Sequence, residues 1–235
     1  MLTAALACSL FGPPDLNGVR ALEVKAPDSL EEYDTLIPHA RLLDGRGDSV
    51  AGATFVWATL DTAALTVRDS STGRTVVNHS GQTGRLLVRS GDIPSNPVAI
   101  RTLAAADTLF ATGMTVDTGR LSIDSLSDSL KVEVADTIKS ASGGDSTVGL
   151  AGRPVTYVIT LPATAGPVTL VTTDTARSLV TTDTVATSAS GIAFVKVRLL
   201  GPTIPDSVVL TASARRAVGD AVRGSPVTFV VRFRP

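Results

Sequence analysis

The sequence predicts an all-β protein built from two β-sandwich domains. Apolar side chains recur at every second position over short runs, which is the spacing that places them on one face of a strand. Gly, Pro, Asp and Ser interrupt these runs at short intervals, and no long run follows the helical period. At 235 residues the chain has room for two domains of ordinary size.

The stretch around the chain's single tryptophan is predicted to lie in a core. Phe55, Trp57 and Thr59 share one face of a strand, and Leu65 and Val67 repeat the pattern after a polar break. A buried tryptophan covers about 150–250 Å² of surface, so it dominates a core with few other aromatic side chains. We therefore predict Phe55 and Trp57 as core anchors.

The first domain is predicted over residues 19–106, after an N-terminal segment of residues 1–18. Its first strand carries Leu22, Val24 and Ala26 on one face. The second strand runs over residues 33–43, and Pro38 within it predicts a bulge or a sheet edge. Residues 44–48 form a turn. After the tryptophan strand, further strands are predicted over residues 75–78, 84–89 and 98–101.

The second domain is predicted over residues 107–235. Its strands cover residues 129–136, 152–159, 190–198, 208–213 and 226–233, and each alternates apolar and polar side chains. Tyr157, Phe194 and Phe229 are predicted as its core anchors. A Gly- and Ser-rich insert occupies residues 138–150.

Both domains resemble bacterial immunoglobulin-like families. The first domain resembles the group 2 family over about 85 residues. The resemblance is carried by the turn at Asp44-Gly45, by Val56-Trp57 followed by Asp61-Thr62, and by Gly84 at the start of an alternating strand. The strands that begin Gly152-Arg-Pro-Val, Gly191-Ile-Ala-Phe-Val and Val227-Thr-Phe-Val-Val resemble the group 1, invasin- and intimin-like family. The resemblance implies two tandem immunoglobulin-like sandwiches. The chain has one cysteine, so neither contains a disulfide.

The N-terminal residues 1–11 are apolar and uncharged, and Ala5-Leu6-Ala7-Cys8 resembles the lipobox of a bacterial lipoprotein. The pattern departs from the usual one in having Ala5 in place of leucine and in lacking a basic segment. The resemblance implies export and a lipid on Cys8. We therefore expect a protein of the periplasm or cell surface that is anchored to a membrane by its N-terminal segment or by a lipid on Cys8.

Residues suited to catalysis are sparse. His39 and His79 lack Cys or Glu neighbours at metal-ligand spacing, and no nucleophile elbow, phosphate-binding loop or zinc-protease motif occurs. The net charge of −1 gives no general signal for nucleic acid. We expect a protein that is not an enzyme and takes no cofactor, metal, nucleic acid or small-molecule substrate.

The 138–150 insert, the basic C-terminal part and the apolar N-terminal segment are candidates for binding a partner, and a tripeptide on the first predicted turn is a separate candidate for adhesion. The insert supplies Gly143, Gly144 and Asp145, and the basic C-terminal part supplies Arg215 and Arg216. Arg46, Gly47 and Asp48 spell an integrin-binding tripeptide on the predicted turn, although turn chemistry alone explains Gly and Asp there.

The combined features favour an extrinsic accessory subunit that docks on a larger membrane protein complex, respiratory or photosynthetic. A cell-surface adhesin or cell-wall spacer is the alternative interpretation. An accessory domain of a polysaccharide-active enzyme is the third.

Overall fold

A computed structural model describes residues 18–120, 125–139, 144–163, 167–172 and 180–234. These residues form strands and turns, with no helix among them. The chain divides into two compact units, Met1–Leu103 and Ala104–Pro235. The division falls after Leu103 rather than after residue 106 because Ala106 is buried in the core of the second unit.

The described residues of the first unit form eleven strands. They are β1 (Val19–Lys25), β2 (Ser29–Glu31), β3 (Thr35–Leu36), β4 (His39–Asp44), β5 (Ser49–Val50), β6 (Val56–Thr59), β7 (Leu65–Asp69), β8 (Arg74–Val77), β9 (Thr83–Ser90), β10 (Ile93–Pro94) and β11 (Val98–Leu103).

One sheet of the first unit places β9 at its centre. It pairs antiparallel with β6, β10 and β11, and β11 pairs in parallel with β2 near the start of the unit. The remaining strands form the groups β1-β4-β5 and β3-β8-β7.

Pro38 explains why the strand predicted over residues 33–43 is divided. Proline has no N–H to donate to a neighbouring strand, so pairing is interrupted there. On one side of the break β3 pairs with β8, and on the other β4 pairs with β1. The expected irregularity therefore becomes a change of partner strand.

Trp57 lies in the core of the first unit. Its side chain is 4% exposed and packs with the buried residues Leu30, Ala64, Leu65, Val77, Leu86, Val88 and Ile100. Phe55 is half-buried and packs against the same cluster. Gly73 lies on the indole ring, since a Cβ added there would come within 2.7 Å of Trp57 Cδ2.

The described residues of the second unit form ten strands. They are β12 (Thr108–Ala111), β13 (Val116–Arg120), β14 (Leu130–Lys139), β15 (Asp145–Gly149), β16 (Pro154–Leu161), β17 (Val168–Val171), β18 (Thr182–Ala186), β19 (Ile192–Leu199), β20 (Val208–Ala214) and β21 (Val227–Arg234).

Two sheets form the second unit, in the orders β12-β14-β19-β17 and β13-β21-β20-β16-β18. The first two strands of the unit lie in different sheets. Strand β12 pairs antiparallel with β14 in one sheet, and β13 pairs in parallel with β21 in the other. This strand order, with antiparallel pairs elsewhere and a shared core between the sheets, is that of an immunoglobulin-like sandwich.

Tyr157 and Phe229 are fully buried in the core of the second unit. The Tyr157 hydroxyl donates a hydrogen bond to the carbonyl of Ala193 at 2.9 Å, which satisfies the polar end of the ring. Burial raises the pKa of the Tyr157 hydroxyl.

The prediction of Phe194 as a core anchor was wrong. On β19 the inward-facing residues are Ala193, Val195 and Val197, all buried, so Phe194 between them points to the outer face and is only half-buried. A strand with apolar side chains on both faces does not reveal from its sequence which face is covered.

Candidate functional site

The described residues of the predicted insert belong to a pair of antiparallel strands, β14 and β15, here called the hairpin. Strand β14 extends to Lys139 and pairs antiparallel with β15, in a register that places Asp136 opposite Val148 and Ile138 opposite Ser146. The first half of β14 has neighbours on both sides, because residues 130–133 pair with β19 and residues 132–135 pair with β12. Beyond Ala135, β15 is the only strand among the described residues that pairs with β14. The hairpin therefore continues the sheet past its neighbouring strands.

Two apolar side chains of the hairpin are exposed on one face. Ile138 and Val148 are each 48% exposed, and they lie on the same face because Val148 opposes Asp136, two residues before Ile138. This is also the face on which Leu130, Val132 and Val134 point into the core. The inner face of the sheet thus continues beyond the core into solvent.

Two glycines hold the base of the hairpin. A Cβ on Gly149 would come within 2.1 Å of the Ser190 carbonyl oxygen, and one on Gly191 would come within 2.5 Å of the Gly149 Cα. Hydrogen bonds from Val134 N to Gly191 O and from Leu150 N to Val134 O fasten the same region. The base is therefore packed backbone against backbone.

Strand β15 has one paired edge and one open edge among the described residues, because it pairs there with β14 alone. Residues 145–148 are exposed. The strand contains no Lys or Pro, the residues that commonly protect an edge from pairing with another chain. An open edge of this kind can accept a further strand from a partner.

Of the three insert residues singled out from the sequence, Gly144 and Asp145 are exposed at the start of β15. Gly143 lies outside the described residues. Composition identified the insert, but Ile138 and Val148, its exposed apolar residues, were not singled out.

Arg215 and Arg216 lie in the loop between β20 and β21. Arg215 Nη1 donates a hydrogen bond to the Gly219 carbonyl at 2.8 Å, and the Arg216 N–H donates to the Asp220 carbonyl at 2.7 Å. The guanidinium of Arg215 therefore stabilises its own loop, which makes the loop a weaker binding candidate than the hairpin.

Arg46, Gly47 and Asp48 are exposed on the turn between β4 and β5. Asp44 Oδ1 accepts hydrogen bonds from the N–H groups of Asp48 at 2.9 Å and Arg46 at 2.8 Å. The Asp48 bond, followed by that of Arg46, lowers the pKa of the Asp44 carboxyl. Gly47 has a φ of 88°, which glycine adopts without strain. Turn formation thus accounts for these residues, and the tripeptide is also accessible.

Cys8 lies outside the described residues. Within the described ranges, no helix is long and apolar enough to cross a membrane. The same ranges contain no group of three or more His, Cys, Asp or Glu side chains placed to hold a metal ion.

No protein-family model and no curated protein matches the sequence. Solved structures that the comparison matches to this chain include S-layer protein SbsC domains 4 and 5, with 14% identity and a TM-score of 0.33, over 92% of this chain and 99% of that one. Adhesin InvE of Yersinia pseudotuberculosis has 20% identity and a TM-score of 0.38, over 95% of this chain and 62% of that one.

The D00-D0 domain of intimin has 14% identity and a TM-score of 0.34, over 91% of this chain and all of that one. Identity and TM-score are low in each case. The immunoglobulin-like assignment therefore rests on the strand order of the two sheets described above.

Proposed function

We propose that this chain is a non-catalytic binding protein of the cell surface or periplasm. The observation that carries the proposal is the β14–β15 hairpin, which presents an open strand edge beside two exposed apolar side chains. An incoming strand of a partner would satisfy the open backbone groups of β15, and the partner would also cover Ile138 and Val148. The partner is therefore a protein.

In the finer form of the proposal, the chain is exported, held at a membrane by a lipid on Cys8, and docks as an extrinsic accessory subunit on a larger membrane protein complex. The lipobox-like sequence before Cys8 supports the anchor. Mass spectrometry of the N-terminal peptide tests it, since a lipidated Cys8 at the new N-terminus is the expected result.

The docking role is tested by purifying the tagged chain from membranes in mild detergent. We expect one membrane complex to co-purify in fixed ratio, and the double variant Ile138→Asp with Val148→Asp to lose it, because buried carboxylates would lack partners. Val218→Asp is the matched control, because Val218 is exposed to a similar degree, 44%, but lies in the β20–β21 loop. Recovery of the wild-type chain only as a free monomer would contradict docking.

A cell-surface adhesin is the second candidate function, favoured by the accessible Arg46, Gly47 and Asp48 on their turn. Binding of the purified chain to integrin-bearing cells, abolished by Asp48→Glu and unaffected by the hairpin variant, would favour this function over the accessory subunit.

A further inference from the structure

A cavity of about 370 Å³ lies in the second unit where the chain leaves β12 for β13. Thr112, Gly113 and Met114 line one side of it, and Gly113 has a φ of 117°, which glycine adopts without strain. The chain passes there from one sheet to the other, because β12 pairs with β14 while β13 pairs with β21. A cavity of this volume has room for a small organic molecule.

Two lysines on neighbouring strands line the cavity. Lys131 of β14 lies opposite Phe194 of β19, so Lys196, two residues further along β19, is its diagonal neighbour on the same outward face. Thr112 shares this face, since its N–H donates a hydrogen bond to the Lys131 carbonyl at 3.0 Å. Among the described residues, neither lysine ammonium has a carboxylate within ion-pair distance.

Two aspartates line the same cavity. Asp117 is 8% exposed and comes from β13, and its Oδ2 accepts a hydrogen bond from the Asp128 N–H at 2.8 Å. This bond holds the exposed Asp128 next to Asp117. In the part of the chain that the structure describes, neither carboxylate forms an ion pair with a basic side chain. The lining therefore carries two positive and two negative groups that do not neutralise one another by direct contact.

Thr112 also contributes a polar atom without a partner. Its Oγ1 is buried, and no hydrogen-bond partner for it exists among the described residues. A buried hydroxyl that makes no hydrogen bond lowers stability, so a ligand atom that bonds to it is favoured. Met114 is 77% exposed at the edge of the cavity, and its flexible side chain can cover ligands of different shape.

We propose that this cavity binds a small zwitterion, which is a molecule with one ammonium and one carboxylate group, such as an amino acid or a short peptide. The ligand carboxylate pairs with Lys131 and Lys196, and its ammonium pairs with Asp117 and Asp128. A ligand with a single charge is disfavoured, because it satisfies one pair of side chains and leaves the other pair without a partner.

The proposed site goes beyond the protein-binding role and does not depend on the hairpin. Its charged residues belong to β13, β14, β19 and the segment before β14, so they meet only in the folded unit. No motif in the sequence marks them, which is why a small-molecule ligand was not expected from the sequence.

The test uses the full chain labelled with ¹⁵N and a series of zwitterions: glycine, 4-aminobutyrate, 6-aminohexanoate and triglycine. We expect the amide resonances of residues 112–114, 117, 128, 131 and 196 to shift with at least one of them. Tightest binding of triglycine identifies a short peptide as the ligand, and tightest binding of another member identifies a free amino acid. Butylamine and butyrate each carry one of the two charges and should bind about tenfold more weakly or worse.

The double variant Lys131→Met with Lys196→Met and the single variant Asp128→Asn should each weaken binding of the best zwitterion by about tenfold or more. Arg198→Met and Glu133→Gln are the matched controls, because they remove a base and an acid from the same sheet face but do not line the cavity. Both controls should bind as the wild type does. Unchanged resonances elsewhere in the spectrum show that each variant is folded.

The proposal is overturned if none of the zwitterions shifts the resonances of the cavity, or if the lysine variant binds them as well as the wild type. Binding of butyrate as tight as that of 4-aminobutyrate would make the cavity a simple anion site. Equally tight binding of butylamine would make it a simple cation site. Either result contradicts a site for a zwitterion.

Discussion

Trp57 is buried in the core of the first unit, where a glycine leaves room for one face of its flat ring. Gly73 lies on one face of the indole, with a φ of 75° that glycine adopts readily. Buried aliphatic side chains of several strands surround the rest of the ring. A single large side chain therefore joins strands that are distant in the sequence.

Removing that ring should destabilise the first unit strongly. We expect Trp57→Ala to lower the free energy of unfolding by about 3–5 kcal/mol, from lost apolar burial and the cavity left behind. Urea denaturation followed by far-UV circular dichroism measures the change. Val56→Ala, at a neighbouring side chain that is 56% exposed, is the control and should have a small effect. Equal midpoints for Trp57→Ala and Val56→Ala would refute the prediction.

Phe194 illustrates where reasoning from single residues reaches its limit. Its strand alternates Ile192, Phe194 and Lys196 with Ala193, Val195 and Val197, so both faces are largely apolar. Size favoured the phenylalanine as the inward residue, but the structure buries the smaller ones because the facing sheet of the sandwich already contains Tyr157 and Phe229. The volume available to a side chain in a core between two sheets depends on the side chains of both sheets.

At the scale of elements, the hairpin depends on close backbone contact at its base. Gly191 has a φ of 78°, and a Cβ there would come within 2.7 Å of the Val134 carbonyl oxygen and the Leu150 nitrogen. Both atoms belong to backbone, which cannot move aside as a flexible side chain can. The hairpin and the turn before β19 are therefore coupled.

Gly191→Ala should lower the free energy of unfolding more than a glycine substitution that adds backbone strain alone. We expect a loss of about 2 kcal/mol or more, whereas the control Gly219→Ala should cost about 1 kcal/mol. Gly219 has a φ of 99° but no atom within 4 Å of an added Cβ, so it isolates the strain. Urea midpoints of the two variants, followed by far-UV circular dichroism, provide the comparison. Similar losses in both variants would show that contact at the hairpin base contributes little.

At the scale of the whole molecule, the two units differ in the ionisable groups that folding perturbs. In the first unit, the Ser71 hydroxyl and N–H lower the pKa of Asp69 to about 2, and a side-chain hydrogen bond from Arg85 lowers the pKa of Asp61. In the second unit, burial raises the pKa of the Tyr157 hydroxyl. These shifts act at opposite ends of the pH range.

The first unit should therefore lose stability in acid. A carboxyl whose pKa is lowered by folding stabilises the fold above its unfolded pKa, about 4, and this contribution disappears as the pH falls towards the folded value. Trp57, the only tryptophan, reports this unit alone, so its fluorescence in urea at decreasing pH measures the effect. Asp69→Asn should reduce the pH dependence.

The second unit should instead weaken in alkali. A hydroxyl whose pKa is raised by folding contributes full stability below its unfolded pKa, about 10, and that contribution is lost as the pH rises above this value. Tyr157→Phe should reduce this alkaline loss. If the stabilities of the two units changed with pH in the same way, Asp69, Asp61 and Tyr157 would not be the groups responsible.

The sequence by itself determined the all-β class, because a period of two in side-chain character depends only on local backbone geometry. It also located the interruption at Pro38 and the insert at residues 138–150, since a missing N–H and a Gly-rich composition are local properties as well. Trp57, Tyr157 and Phe229 were recognisable as core residues by their size and their place in alternating strands.

Tertiary structure alone decided which face of each strand is covered and where each strand finds its partners. Phe194 faces outward, and Ile138 and Val148 remain exposed on an otherwise inward-facing row, because the neighbouring strands end before the hairpin does. Burial depends on the lengths and registers of several strands at once. No single strand contains that information, and the exposed hairpin proposed as a binding surface arises from it.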